Sequence, residues 1–384
     1  MKFLHTADWH LGKILKGASL IDDQSFILDE ILRIAVDEKV DAIVIAGDVY
    51  DRAVPPIEAV NLFNEILTKI LLEKNLPVLC ISGNHDSSAR LNFGTKLLER
   101  SNLYLRANLT EDLAPIELED SHGKIYFSLF PYMDSAIIRN AFDLPESNFT
   151  EEFQFVIQQA RKNIPSKARS IAVAHEFVAG NADEVQRSES ERTFVGGAEN
   201  IPPKIFEGFN YVALGHLHAP QKMGKEWIRY SGSPLKYSFD ESEQRKGVEI
   251  VEIDGEGKVD LKFVDLKPIR DVRKIEGSFR EILEDREKFP KSEDYIHVQL
   301  TDRSPILNVR EQLQSVFPNL LGIDRKNAMT NFERQHRTQS EIEKMSVTDL
   351  FNEFYKWSTG ENLNEDQLKI FENCVENLNE GGEI

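Results

Sequence analysis

Residues 41–51 read DAIVIAGDVYD. Ala42–Ala46 is an unbroken apolar run of strand length, as expected of a strand covered on both faces. Gly47 then lets the chain turn sharply, and Asp48 and Asp51 follow. An apolar strand that runs into a polar, metal-capable turn is the unit from which the fold can be read, and it recurs. Met1–Thr6 leads to Asp8-Trp9-His10, and Val78–Ser82 to Gly83-Asn84-His85-Asp86. Ser170–Ala174 leads to His175-Glu176, and Tyr211–Leu214 to Gly215-His216-Leu217-His218. Ligands of open α/β sheets collect at the carboxyl ends of the strands. Five strands that all end in such side chains are hard to ascribe to chance.

The segments between the strands carry helical periodicity. Asp22–Val36 places Phe26, Ile27, Ile31, Ile34 and Ala35 at helical spacing, and Ile57–Leu72, started by Pro55-Pro56, places Val60, Phe63, Ile66, Leu67 and Ile70 on one stripe. Ile125–Phe130 adds a further strand. The alternation predicts an α/β domain with parallel strands. Trp227–Leu266 turns mostly β, with a hairpin turn over Asp254–Lys258 (DGEGK). The first domain is expected to span residues 1–267. Residues 268–331 predict a small α+β domain of order strand (Val272–Glu276), helix (Phe279–Asp285), strand (Tyr295–Leu300), helix (Asn308–Val316), strand (Leu320–Arg325), docked on the first. Thr330–Lys344, the polar stretch TNFERQHRTQSEIEK, reads as a linker, set at residues 332–345 between the two flanking units. Residues 346–384 predict two closing helices, one capped by Ser346 and carrying Leu350, Phe351, Phe354, Tyr355 and Trp357, the other starting near Asn364 with Leu368, Phe371, Val375 and Leu378 on a stripe. This aromatic pair can pack on the protein's own body or on a partner helix, and the long linker favours the partner.

Composition bounds the remainder. The chain has 384 residues, 41% hydrophobic and 29% charged, which is ordinary globular usage. No apolar run approaches the roughly 20 residues needed to span a bilayer, and Asp8 and His10 interrupt the short apolar start, so no secretory signal is expected. Two cysteines, Cys80 and Cys374, far apart in the chain, exclude a disulfide scaffold and a thiolate zinc site and suit a reducing cytoplasm. A net charge of -19 argues against nucleic-acid binding by the surface as a whole. The acidity is uneven: residues 351–384 hold eight acidic and two basic residues, whereas residues 201–250 hold six acidic and seven basic. Metal ions can supply local positive charge where the chain does not.

The residue types point to a kind of metal. Carboxylate, imidazole and amide oxygen without thiolate suit Mn, Fe or Zn in mixed nitrogen and oxygen coordination. Asp8, His10, Asp48, Asn84, His175, His216 and His218 are too many donors for one ion and about right for two sharing a carboxylate, the clamp used on phosphate esters. Each motif alone is weak. DxH is common, GDxxD can be a strand-to-helix turn with an aspartate cap, and a lone His175 is more often a core histidine. Alternate residues of a strand share a face, so GHxH says more. The full set in this order is specific.

Taken in order, DxH…GDxxD…GNHD…H…GHxH resembles the signature of the calcineurin-like metallophosphoesterases, from Asp8 to His218. HTADWHLG (5–12), GDVYDR (47–52), GNHDSSARL (83–91), LGHLHAPQ (214–221) and YSGSPLKYSF (230–239) are similar to the bacterial branch of that family whose members are DNA nuclease subunits. The resemblance implies a β-sandwich flanked by helices, a small DNA-capping domain, and a C-terminal helical segment that docks on a coiled-coil ATPase. It implies two divalent ions, most often Mn2+: one held by Asp8, His10, Asp48 and His218, the other by Asp48, Asn84, His175 and His216, with Asp48 bridging. It implies that His85 is catalytic, aiding departure of the sugar oxygen in an in-line hydrolysis, and that Asp86 orients it. It implies double-stranded DNA ends and hairpins as substrates, a homodimer within a heterotetramer formed through Ile57–Leu72 and the segment after His85, and a cytoplasmic setting. Archaeal and eukaryotic relatives carry histidine where this chain has Asp51, which bears on substrate handling and not on metal binding. A phosphatase or cyclic-nucleotide phosphodiesterase built on the same site stays open as the alternative, although such an enzyme needs neither a capping domain nor an aromatic tail.

Overall fold

The computed structural model describes residues 1–180, 185–191, 200–302, 304, 306–326, 346–359 and 362–380. The chain forms two compact units, Met1–Val272 and Arg273–Ile384.

In chain order the first unit starts with β1 (Lys2–Thr6), a two-residue pair β2 (Ile14–Leu15) and β3 (Ala18–Ser19), α1 (Ile21–Asp37), β4 (Ala42–Ala46), α2 (Ile57–Thr68) and β5 (Val78–Ile81). Two single-turn helices, α3 (Ser88–Leu91) and α4 (Thr95–Leu98), precede β6 (Leu103–Arg106), β7 (Ile116–Asp120) and β8 (Gly123–Phe130). Then come α5 (Ser135–Phe142), α6 (Phe149–Lys162), β9 (Arg169–His175), β10 (Tyr211–Gly215), β11 (Gln221–Met223), β12 (Lys225–Tyr230), β13 (Gly247–Ile253) and β14 (Val259–Asp265).

These strands build two six-stranded sheets, ordered β14-β13-β1-β4-β5-β6 and β11-β12-β10-β9-β8-β7. The parallel strands expected of the alternating segments form one run in each sheet, and the expected hairpin at DGEGK adds an antiparallel pair to the first. β1, β4, β5 and β6 run parallel, but β13 pairs antiparallel with both β1 and β14. β8, β9, β10 and β12 run parallel, with antiparallel β7 and β11 at the edges. The β13–β14 pairing follows from connection length: the DGEGK turn is too short for a parallel crossover and can only close an antiparallel hairpin. Asp254 makes that turn, its carboxylate accepting from the Glu256 and Lys258 amides at 2.9 Å each.

The two sheets bury a common core. Phe3, Val44 and Leu79 of one meet Phe127, Ile171 and Tyr211 of the other, and the Phe3 ring stands edge-on to Phe127 at 5.5 Å. The outer face of the second sheet is covered by α6, whose Phe153, Val156 and Ile157 pack with Ala172, Ala174, Val212 and Leu214. Asn148 caps that helix by accepting from the Glu151 amide at 2.9 Å; neither α5 nor α6 was expected from periodicity. α1 buries Ile27, Ile31, Ile34 and Ala35 but turns Phe26 outward, 42% exposed. The stripe of α2 also splits: Phe63 and Ile66 are buried while Val60 is 43% exposed, and the helix ends in a π-helical turn over Lys69–Glu73.

The second unit follows the expected order: β15 (Val272–Gly277), α7 (Phe279–Glu284), β16 (Tyr295–Leu300), α8 (Val309–Gln314) and β17 (Leu320–Arg325). Its sheet runs β15-β16-β17 over a core of Ile282, Ile296, Val298, Leu313 and Phe317. The expected linker, residues 332–345, lies outside the described residues. Two helices follow, α9 (Val347–Thr359) and α10 (Glu365–Glu380). Ser346 caps α9 by accepting from the Asp349 amide at 3.0 Å, and Asn364 and Gln367 exchange side-chain-to-amide bonds of 2.9 and 3.0 Å at the start of α10. The two helices pack on each other through Phe351 and Phe371, stacked at 3.8 Å. Among the described residues no helix is long and apolar enough to cross a membrane.

Candidate metal centre

Each donor comes off a strand end, four of them in a conformation that side chains rarely adopt. Asp8, His10 and Asp48 have φ of 54°, 44° and 49°, and His216 has 110°. Such backbone costs on the order of 1–3 kcal/mol per residue and survives only where its surroundings hold it. Here the holding groups are visible. The Asp8 amide donates to the Gly47 carbonyl and the His10 amide to the Asp48 carbonyl, each at 3.0 Å. The His216 amide donates to both oxygens of Asp8, at 3.0 and 3.2 Å. Gly47, at φ 90°, passes against the His175 ring, and Gly215 passes against the Ala46 carbonyl; a Cβ at either place would overlap its neighbour.

The structure brings all seven expected donors together inside the first unit. His10 Nε2 lies 3.1 Å from His218 Nε2 and 3.6 Å from Asp48 Oδ2. His175 Nε2 lies 3.3 Å from Asp48 Oδ2, 4.0 Å from Asp8 Oδ1 and 3.1 Å from Asn84 Oδ1, and His216 Nδ1 is 3.2 Å from the same amide oxygen. Donor atoms of Asp8, His10 and His218 fall within 4.8 Å of one another, and so do those of Asp8, Asp48 and His175. Asp8 thus borders both groups, where the sequence places it in one. His10, Asp51 and His85 make a third such group, but Lys13 already binds Asp51 at 2.8 Å.

The donor set suits cations on an argument of protons. His175 Nδ1 is 2.8 Å from the Ala46 carbonyl, which can only accept, so this nitrogen carries the proton. In a neutral ring Nε2 then turns a lone pair on the oxygens of Asp48 and Asn84, which are lone pairs too. A cation between them resolves the conflict. Without one the ring itself must become the cation: burial alone would lower its pKa, but Asp48 and Asp8 carry it up to about 10. Burial raises the Asp8 carboxyl and drops His216 to about 3. Among the described residues, buried His10 Nδ1 finds no hydrogen-bond partner.

His85 and Asp86 differ in their tasks. The His85 amide donates to Asp48 Oδ1 at 2.8 Å, and its Nδ1 lies 2.8 Å from the Asp51 carbonyl, which fixes the proton there and directs Nε2 toward Asp48, 4.0 Å from Oδ2. Asp86, expected to orient His85, gathers three backbone amides: Val49 at 3.0 Å, Tyr50 at 2.9 Å and Gly83 at 2.9 Å. It ties the GDxxD turn to the GNHD turn.

Sequence reasoning missed a layer behind His218. Its Nδ1 lies 2.8 Å from Ser190 Oγ and 3.1 Å from Glu241 Oε1, its amide donates to Glu191 Oε1 at 2.8 Å, and Lys246 Nζ lies 2.6 Å from Glu241 Oε2. Nothing in the polar stretch FDESEQRKG distinguishes a buried Glu241 and Lys246 from surface charges. The only signal was the adjoining YSGSPLKYSF segment, whose Tyr237 hydroxyl donates to the Trp9 carbonyl beside the site.

A family model described as Calcineurin-like phosphoesterase matches residues 1–220. A second, described as Type 5 capsule protein repressor C-terminal domain, matches residues 268–359. Among curated proteins, the SbcD subunit of the nuclease SbcCD from Staphylococcus saprophyticus is 35% identical over 384 residues, covering 100% of both chains. The protein of the same name from Staphylococcus epidermidis is 36% identical over 372 residues, 96% of each. Among solved structures, TT1561 of Thermus thermophilus overlays 68% of this chain and 98% of its own, at 12% identity and a TM-score of 0.39.

Proposed function

This chain belongs to the calcineurin-like phosphoesterase family and is a hydrolase of phosphodiester bonds, and we propose that its substrate is DNA, cut within an SbcCD-type complex. The observation that carries the reading is the convergence of Asp8, His10, Asp48, Asn84, His175, His216 and His218 from five strand ends, with their donor atoms facing one another. The full-length likeness to two proteins named as components of the nuclease SbcCD supports DNA over a small ester.

In this reading Asp8, His10, Asp48 and His218 hold one divalent ion and Asp48, Asn84, His175 and His216 the other, both most often Mn2+. When bound, the ions supply charge that neutralises the phosphodiester oxygens and makes water acidic enough to attack at neutral pH. The chain's own residues do the rest. Asp48 is held through Oδ1 by the His85 amide. The Asp51 carbonyl keeps the Nδ1 proton of His85, so a second proton taken up at Nε2 is the one His85 can hand to the departing sugar oxygen. Asp86 keeps the two turns that carry these groups in register.

The expected activities are double-strand exonuclease and single-strand or hairpin endonuclease, made ATP-dependent by an SbcC-type coiled-coil ATPase, in DNA end processing, repair, recombination and replication in the cytoplasm. A homodimer within a heterotetramer fits the apolar side chains left exposed on α2 and around α3 and α4, Ile57, Val60, Phe93 and Leu97. The test is co-expression with the coiled-coil ATPase and a hairpin-DNA cleavage assay. The expected result is ATP-stimulated, Mn2+-dependent cleavage, lost in Asp48→Asn. A complex that binds two Mn2+ ions, leaves hairpins intact and hydrolyses a cyclic nucleotide would establish the alternative.

A further inference from the structure

The group behind His218 is built from charges that a fold ordinarily keeps outside. Glu241 and Lys246 are 0% and 7% exposed. A buried ion pair gains little stability over an apolar pair of the same volume, because desolvation offsets the attraction. Its geometry, however, reaches His218 at both the ring and the carbonyl. Lys246 Nζ faces Glu241 Oε2 at 2.6 Å, Ser233 Oγ at 2.8 Å and the His218 carbonyl at 2.9 Å. The Ser233 hydroxyl donates onward to the Leu235 carbonyl at 2.8 Å, so its oxygen accepts from the lysine. Lys246 is itself rigid, since it precedes β13 and its carbonyl accepts from the Leu266 amide at 2.8 Å.

Glu241 takes the other end of His218. Ser190 donates its hydroxyl proton to Glu241 Oε1, so Ser190 Oγ can only accept from His218 Nδ1. Both neighbours of Nδ1 are therefore acceptors, and Nδ1 must carry a proton. The tautomer is decided: Nε2 presents its lone pair to the pocket, where His10 Nε2 stands 3.1 Å away.

We infer that Glu241 and Ser190, anchored by Lys246, are positioning residues that fix the ring and tautomer of His218 as a metal donor. The inference rests on the metal-centre reading and deepens it. It implies that the ion held by His218 depends on this group while the ion held by His175 and His216 does not.

The experiment titrates Mn2+ into the metal-free full-length chain by calorimetry, with the electron paramagnetic resonance signal of bound Mn2+ counting the sites. The parent chain, Glu241→Ala, Glu241→Gln and Ser190→Ala are compared, and each protein's thermal unfolding is recorded without metal. Glu241→Ala is expected to weaken one of the two sites by about 10–100-fold and leave the other within about threefold. Glu241→Gln keeps an oxygen for Nδ1 and is expected to recover most of that loss. Ser190→Ala, the removal of one hydroxyl, is expected to weaken the same site by several-fold. Two sites unchanged in folded Glu241→Ala would overturn the inference, and so would equal weakening of both. If Glu241→Ala shows no cooperative unfolding, Ser190→Ala decides, and parent-like affinity there overturns it. A parent chain that binds no Mn2+ removes the metal-centre reading and this inference with it.

Discussion

At the scale of single residues, chemistry and support separate cleanly. His85 sits in the pocket with its proton placed by a carbonyl, and Asp86 accepts from three backbone amides. His85→Ala is therefore expected to lower DNA cleavage by about 10²–10⁴-fold with two Mn2+ ions still bound. Activity at the parent level with both ions in place would remove His85 from the mechanism. Asp86→Ala leaves three amides without their carboxylate and is expected to cost about 3 kcal/mol or more, seen in chemical denaturation of the metal-free chain. His5 supplies a pH test outside the pocket. It is buried between the sheets, 2.9 Å from the Tyr211 hydroxyl and 3.2 Å from the Leu214 carbonyl, and burial lowers its pKa to about 3. The unfolded chain takes up this proton near pH 6.5 and the folded chain does not. Its contribution is thus whole above about 6.5 and is lost as pH falls toward 3, at about 1.4 kcal/mol per pH unit. His5→Gln is expected to flatten the stability profile over that window by one proton, and an unchanged slope would contradict the assignment.

At the scale of elements, the strand ends were plain because an unbroken apolar run followed by glycine and acid has few other readings. The helices were plainest where one face is buried against the sheet, as in α1, and least where it is not. α2 looks like one stripe in sequence, yet part of that stripe faces solvent, because periodicity reports that side chains share a face and says nothing about what covers it. The terminal hairpin poses the same question. α9 and α10 satisfy each other through Phe351 and Phe371 while Phe354 and Ile370 are 56% and 64% exposed. Removal of residues 346–384 is expected to abolish co-purification with the ATPase partner while Mn2+ stoichiometry and the unfolding of the first unit stay as in the parent. Partner binding that survives the truncation would move the docking surface elsewhere.

At the scale of the whole molecule, net charge bears on the proposed DNA substrate. A chain of net charge -19 gains little from the release of counterions, which supplies most of the affinity of basic proteins. The isolated chain is expected to bind duplex DNA more weakly than about 10⁻⁶ M at physiological salt, with a shallow dependence on salt, and to bind more tightly with a basic partner present. Tight binding by the chain alone in fluorescence anisotropy would contradict this.

The sequence alone determined which strands end in donors, because a metal-capable side chain one or two residues past an apolar run is a local property, and GHxH or GNHD can be read without knowing a neighbour. It determined the order of the small α+β unit, the Ser346 cap and the start of the last helix near Asn364 for the same reason. Only the tertiary structure decided that β13 inserts beside β1 antiparallel, that Asp8 borders both donor groups, and that Asp86 gathers three backbone amides. It alone revealed Glu241 and Lys246 behind His218. These depend on which residues distant in sequence become buried together, and a glutamate or lysine in a polar stretch looks the same in sequence whether water or a histidine lies beside it.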